Sequence, residues 1–207
     1  VITSISSIKS QVLASFKISE YEENLLQMWD EFIKGLDKKI IGFPIWSDYF
    51  YSNKVKKDTP LWKKDIIKKN KELYQRNKKF IDEWYRKYDC LKGIKKTHRK
   101  FEWQVDNKIK SVFDGIIQFR PSGVRVKQPT EFPALVAIVH VPIIGKYHRY
   151  LTPREAANLQ SFPRDFKISP NMRLAYKQFG NAVNVDVIYN VFKNFVELVE
   201  EKKNEHR

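Results

Sequence analysis

The sequence has a single cysteine, Cys90, in 207 residues. That excludes a disulfide framework within the chain and a zinc site built from several thiolates. Its four histidines, His98, His140, His148 and His206, stand at no metal-ligand spacing with Cys90 or with a carboxylate, so no metal site is expected. There is no glycine-rich phosphate loop, no recognisable Ser-His-Asp arrangement and no pair of carboxylates in a strand-end setting. No apolar run approaches the roughly 18 residues of a membrane span, and the opening VITSISSIKSQVL lacks the charged start and long apolar centre of a signal peptide. The expectation is a cytoplasmic protein with no membrane partner. Val1 in place of an initiating methionine is what a piece of a longer polypeptide, or a processed product, would show.

What the chain does have is basic charge and apolar bulk. Lys and Arg number 39 against 24 Asp and Glu, a net charge of +15, while apolar residues make up 42% and aromatics 14%. A disordered basic tail would not carry so much apolar surface, so a packed core is expected, in one large domain or two small ones. The charge is uneven. Residues 1–53 hold 5 basic and 7 acidic residues, 54–110 hold 20 and 8, and 111–207 hold 14 and 9. A polyanion is the natural partner of such a field, whether duplex DNA, RNA or an anionic membrane surface, although a charge run alone equally describes a solvated helix face.

Periodicity divides the chain. Ser19 and Glu22 form a capping box ahead of Leu25, Trp29, Phe32 and Leu36, which recur at helical spacing. Thr59-Pro60 predicts a second helix, running through Ile66/Ile67, Leu73/Tyr74 and Phe80/Ile81 to Tyr88, with a back of Lys and Arg. Cys90, near the expected end of that helix, is read as a small apolar filler. From 111 the pattern turns to strands at Ile116-Ile117, Val124 to Val126 and Ala134 to Val141, separated by Pro121-Ser122-Gly123 and by 129–133. Helices return at Thr152-Pro153-Arg154-Glu155, a second capping box, with Leu159 and Phe162 facing inward, and at Ser169-Pro170, to end at Gly180. A last helix over 184–201 places Ile188, Val191, Phe192, Phe195 and Val199 on one face.

The stretch RYLTPREAANLQSFPRDF from Arg149 to Phe166, followed by YKQFGNAV from Tyr176 to Val183, resembles the two C-terminal motifs of the cytosine-5 DNA methyltransferases in residues, spacing and order. Arg120 to Lys127 and Phe132 to Val136 are more weakly similar to target-recognition segments of bacterial restriction-modification enzymes. Residues 1–110 show no comparable motif. The family's cysteine after proline, its Glu-Asn-Val block and its glycine-rich cofactor loop do not occur here, and Gln118-Phe-Arg120 is too late and too incomplete to be its Gln-x-Arg-x-Arg motif. Ala134-Leu135 stands where the family has Thr-Leu, and Asn184 where proline often follows the Gly-Asn turn.

The resemblance implies the C-terminal portion of such an enzyme. Its fold is expected to be α+β, with a helical, basic part of the recognition domain at 1–110, a small strand-rich target-recognition segment at 111–150, and C-terminal helices at 151–207. Those helices would pack on a Rossmann-like catalytic domain absent from this chain. In the complete enzyme a cysteine thiolate attacks C6 of a flipped cytosine, and S-adenosylmethionine donates a methyl group to C5. This chain would supply target choice and part of the cofactor wall, with no catalytic residue of its own. Asn181, Ala182 and Val183 are the cofactor candidates by the resemblance, though a plain helix cap accounts for them equally well. Arg120 and Arg125 suit guanine O6/N7 in double-stranded DNA, Lys127 suits a phosphate, and Ser122 and Gly123 would permit close approach. An exposed basic hairpin is the bland alternative. The partner would be the missing catalytic portion, or a separate subunit if the enzyme is naturally split. A non-enzymatic nucleic-acid-binding module is the rival of another class.

Overall fold

The computed structural model describes residues 14–37, 42–52, 55–106, 108–130, 132–136 and 140–205. Two compact units divide the chain: a larger one of residues 17–133 and 142–150, and a smaller one of 1–16, 134–141 and 151–207. Helices and strands on both sides of residue 110 share the core of the larger unit.

In the larger unit, α1 (Glu20–Lys34) starts at the Ser19–Glu22 capping box and buries Leu25, Leu26, Met28, Trp29, Phe32 and Ile33. Trp29 is the centre of that core. Its ring stacks on Phe101 at 4.8 Å, lies edge-on to Phe32 at 5.4 Å, and its Nε1 donates to the His98 carbonyl at 3.0 Å. Trp84 likewise donates to the Met28 carbonyl, so these two buried indoles keep a partner, whereas the Nε1 of buried Trp103 has none among the described residues.

The expected second helix is two helices, α2 (Leu61–Arg76) and α3 (Lys78–Lys87), and its first turn has no side-chain cap because Pro60, not Thr59, takes the cap position. The break is at Asn77, whose backbone leaves the helical region at φ −115° and ψ 26°. Its amide bonds the Leu73 carbonyl and accepts from the Asp37 backbone, so the side chain competes with the helical ladder. After α3 the chain reverses through Asp89, Cys90 and Leu91, all left-handed. The reversal turns Leu91 into the core and leaves Cys90 exposed, so Leu91, not Cys90, is the apolar filler.

Six strands form one sheet in the order β1-β2-β4-β3-β5-β6: β1 (Ile45–Trp46), β2 (Lys100–Gln104), β3 (Ile116–Arg120), β4 (Gly123–Lys127), β5 (Ile143–Ile144) and β6 (Arg149–Tyr150). β2 runs parallel to β4, and β3–β4 is a hairpin turned by Pro121-Ser122. The strand expected over Ala134 to Val141 is not formed at 132–136 or 140–141, and 137–139 lie outside the described residues. Asn70, fully buried on α2, accepts from the Trp46 backbone at 2.8 Å and donates to the Pro44 carbonyl, tying helix to sheet edge.

The smaller unit contains α4 (Pro153–Leu159), α5 (Met172–Asn181) and α6 (Val185–Glu205). The Thr152–Glu155 capping box is present and buried. Ala156 and Ala157 are fully buried on α4, while Leu159 and Phe162 are half-buried. Asn171 rather than Ser169 caps α5, accepting from Leu174, and the helix runs through Gly180 to Asn181 instead of stopping at the glycine.

Candidate nucleic-acid interface

Directly opposed strand residues share a face, and successive residues alternate. Phe101, Trp103, Ile117, Val124 and Val126 therefore point into the core of the larger unit. On β1 to β4 the opposite face carries Trp46 opposite Lys100, Gly123 opposite Arg120, Glu102 and Gln118 on either side of Arg125, and Gln104 and buried Ile116 on either side of Lys127. Among these strand residues, four cations and a single carboxylate thus share one face of the sheet. The sign of that field attracts an anion.

Glu102 organises the cations. Arg125 Nε donates to its carboxylate at 2.8 Å, Gln104 donates at 3.2 Å, and Arg120 Nη1 lies at 3.6 Å. Lys100 Nζ sits 5.7 Å over the Trp46 ring, which meets Trp62 edge-on at 6.4 Å. Ser122 is exposed at the hairpin tip. Gly123 is buried at φ +140°, and a Cβ there would lie 2.7 Å from the Lys100 carbonyl oxygen, so a glycine is needed for strand packing. Of the five residues picked from sequence for DNA contact, Arg120, Arg125 and Lys127 share this face, Ser122 is the tip and Gly123 lies beneath Lys100.

Sequence reading missed Glu102, Lys100, Gln104 and Trp46. The signal was present for three of them: Lys100 to Gln104 reads K-F-E-W-Q, a strict polar and apolar alternation, hidden at the end of a long basic stretch. Exposed lysines elsewhere on the same unit include Lys68 on α2 and Lys79 on α3.

The turn from Asn181 to Val183 lies within the smaller unit. Asn181 is the last residue of α5, Ala182 is extended, and Val183 is 60% exposed. Gln160 Nε2 donates to the Phe179 carbonyl and the Gln160 carbonyl accepts from Val185, while Asn184 caps α6 at Val187 and donates to the Leu159 carbonyl. The turn is therefore held from both sides while Asn181 and Val183 face outward. An amide and an apolar side chain suit one wall of a site for a molecule with both polar and apolar parts.

A cleft of about 450 Å³ on the larger unit is lined by Tyr51, Asp82, Tyr85, Arg86 and Cys90. Lys78, first, then the Tyr51 and Tyr74 hydroxyls hold the Asp82 carboxyl down at about 2. That network satisfies its own charges. Among the described residues, no group of three His, Cys, Asp or Glu could hold a metal ion, and no helix is long and apolar enough to cross a membrane.

Residues 16–197 match the family model for the C-5 cytosine-specific DNA methylases. The chain belongs to that family. The type II methyltransferase M.AluI of Cellulosimicrobium cellulans is 36% identical over 139 residues, covering 66% of this chain and 26% of that protein. The type II methyltransferase M1.ScrFI of Lactococcus lactis subsp. cremoris is 45% identical over 59 residues, 28% of this chain and 15% of its own. M.NlaX of Neisseria lactamica is 54% identical over 44 residues, 21% and 14%. This C-5 methylase chain thus spans about a quarter or less of the length of these relatives. No solved structure matches it. Its mixed helix and sheet architecture agrees with the α+β expectation, and the family's methyl donor is S-adenosylmethionine.

Proposed function

We propose that this chain is the C-terminal portion of a cytosine-5 DNA methyltransferase of a restriction-modification system, supplying target recognition and one wall of the S-adenosylmethionine pocket. The observation that carries the recognition role is the sheet face on which Lys100, Arg120, Arg125 and Lys127 surround a lone carboxylate. Duplex DNA is the polyanion that family membership favours. Arg125, held through Nε, presents its terminal amino groups end-on to guanine O6/N7, and Lys127 meets a phosphate.

The cofactor, when bound, supplies the methyl group. Asn181 offers it an amide and Val183 an apolar surface, and Ala182 lets the chain pass closely between them. The nucleophile comes from the catalytic portion, a Rossmann-like domain outside this chain, whether joined to it or carried by a separate subunit. Cys90 follows an aspartate rather than a proline, so it does not match the family's nucleophile motif. The exposed apolar face of α6 is wide, running from Val187 and Ile188 through Val191 and Phe195 to Val199 and including Tyr189, Phe192 and Val196. So wide a stripe suits a helix embedded in another element, and the catalytic domain is the element the family offers.

Competition binding of cognate and scrambled duplexes across a salt series tests the recognition role. Arg125→Ala should cost roughly 1 to 3 kcal/mol on the cognate duplex and much less on the scrambled one. Replacing Lys68 and Lys79 should weaken both alike and make the salt slope shallower by about 0.9 for each phosphate no longer neutralised. Equal losses on both duplexes for Arg125→Ala would reduce the hairpin to a general basic surface.

A further inference from the structure

The two arginines of the recognition face are held unequally by one carboxylate. Arg125 makes a 2.8 Å bond to Glu102 through Nε, the inner nitrogen of its guanidinium. Arg120 reaches the same oxygen only at 3.6 Å, and its buried Nη1 has no hydrogen-bond partner. Glu102 itself is 15% exposed and sits on β2, in register opposite Arg125 on β4, so its backbone is fixed by strand pairing. A bond through Nε sets the plane and direction of the Arg125 fork while sparing its terminal amino groups. A buried guanidinium nitrogen without a partner, by contrast, is a donor in want of an acceptor.

We propose that Glu102 is a specificity-determining positioning residue for duplex DNA. Resting on the reading of Arg125 as a base contact, it assigns the two arginines different tasks. Arg125, pre-oriented by Glu102, reads a guanine. Arg120, poorly satisfied on the free protein, leaves the carboxylate for a DNA phosphate. Pre-orientation acts by lowering the ordering entropy that a free arginine loses on docking, which sharpens the distinction between the right base and the wrong one. The negative charge of Glu102 also lowers attraction for duplexes in general, so it trades strength for selectivity. A merely structural ion pair would serve stability without favouring any base.

Selection from a randomised duplex library by this chain completed with its catalytic portion, compared among wild type, Arg125→Ala, Glu102→Gln and Glu102→Asp, tests this. The wild type should enrich a motif with a guanine whose preference Arg125→Ala abolishes. Glu102→Gln should flatten preference at that same position by about tenfold, the scale of one bidentate base contact. Its affinity for random duplex should hold or rise, since one negative charge is gone. Glu102→Asp, which keeps the charge but withdraws it by one methylene, should retain part of the preference. It carries the comparison alone if Glu102→Gln fails to fold. Undiminished guanine preference in a folded Glu102 variant overturns the proposal while leaving Arg125 as the reader. No motif in the wild type, or one that Arg125→Ala leaves intact, overturns the recognition reading and this inference together.

Discussion

The two units treat their apolar residues in opposite ways. Among the described residues, the large exposed apolar side chains of the larger unit are Tyr51, Leu61 and Trp62. In the smaller unit they number fifteen, ten of them on α6 between Val185 and Val199. Both units carry the same kind of helical periodicity. In the larger one, the stripe of α1 faces a sheet and two helices that cover it; in the smaller one, the stripe of α6 stays open. Periodicity therefore marks a face that must be buried without naming the surface that buries it.

The contrast is broken or sharpened most by truncating a large aromatic in each unit. Trp29→Ala should destabilise the larger unit by about 3 to 5 kcal/mol, because it removes a fully buried ring and leaves a cavity. Phe195→Ala should change stability by no more than about 0.5 kcal/mol and should lower binding of an apolar dye. Urea unfolding of both variants measures this, and a comparable loss from Phe195→Ala would show that α6 already has its cover.

A smaller effect is expected at Asn70. Replacing it by Ala strands the Trp46 amide and the Pro44 carbonyl at the sheet edge and should cost about 1 to 3 kcal/mol, again read by urea unfolding. Its counterpart in the smaller unit is Asn181, which faces outward. Asn181→Ala should leave stability nearly unchanged. In an enzyme completed by its catalytic portion, it should weaken S-adenosylmethionine binding by about 1 to 2 kcal/mol in calorimetry. Unaltered cofactor binding would make Asn181 a helix end and nothing more.

The smallest effect concerns acid. Burial first, then the nearby Lys95 charge, holds the His98 imidazole below its ordinary 6.5. Its ring packs against Phe119 and shares a hydrogen bond with Tyr21 inside the larger unit. The unfolded chain then binds a proton that the folded one resists, so the contribution of His98 to stability is present above pH 6.5 and declines as pH falls from there toward the folded value. An NMR titration of the ring should give a midpoint below 6.5, and a midpoint at or above it would contradict the burial argument.

Elements with local causes were legible in the chain. The Ser19–Glu22 and Thr152–Glu155 boxes formed as read, because a cap needs only residues within one turn. The β3–β4 hairpin followed from a short turn between apolar alternations. Missed or misplaced features depended on distant partners. Asn77 breaks the long helix in a packing context that includes the Asp37 backbone, 40 residues earlier, and β2 is a strand because it pairs with β1 and β4. Gly180, by contrast, marked the end of α5 to within one residue, since the helix closes at Asn181.

For the candidate site, residue types alone pointed to Arg120, Arg125 and Lys127 as cations on one short hairpin. That much follows from adjacency and the alternation of a strand. The alternation of K-F-E-W-Q marks Glu102 as a polar strand position but not as the neighbour of the arginines, because it lies 23 residues before Arg125 and reaches it only through the parallel pairing of β2 with β4. Capping, turn chemistry and charge are local and additive, so the chain dictates them wherever it folds. Register, burial and the sharing of one carboxylate by two arginines are set by which strands come together, and those belong to the folded molecule.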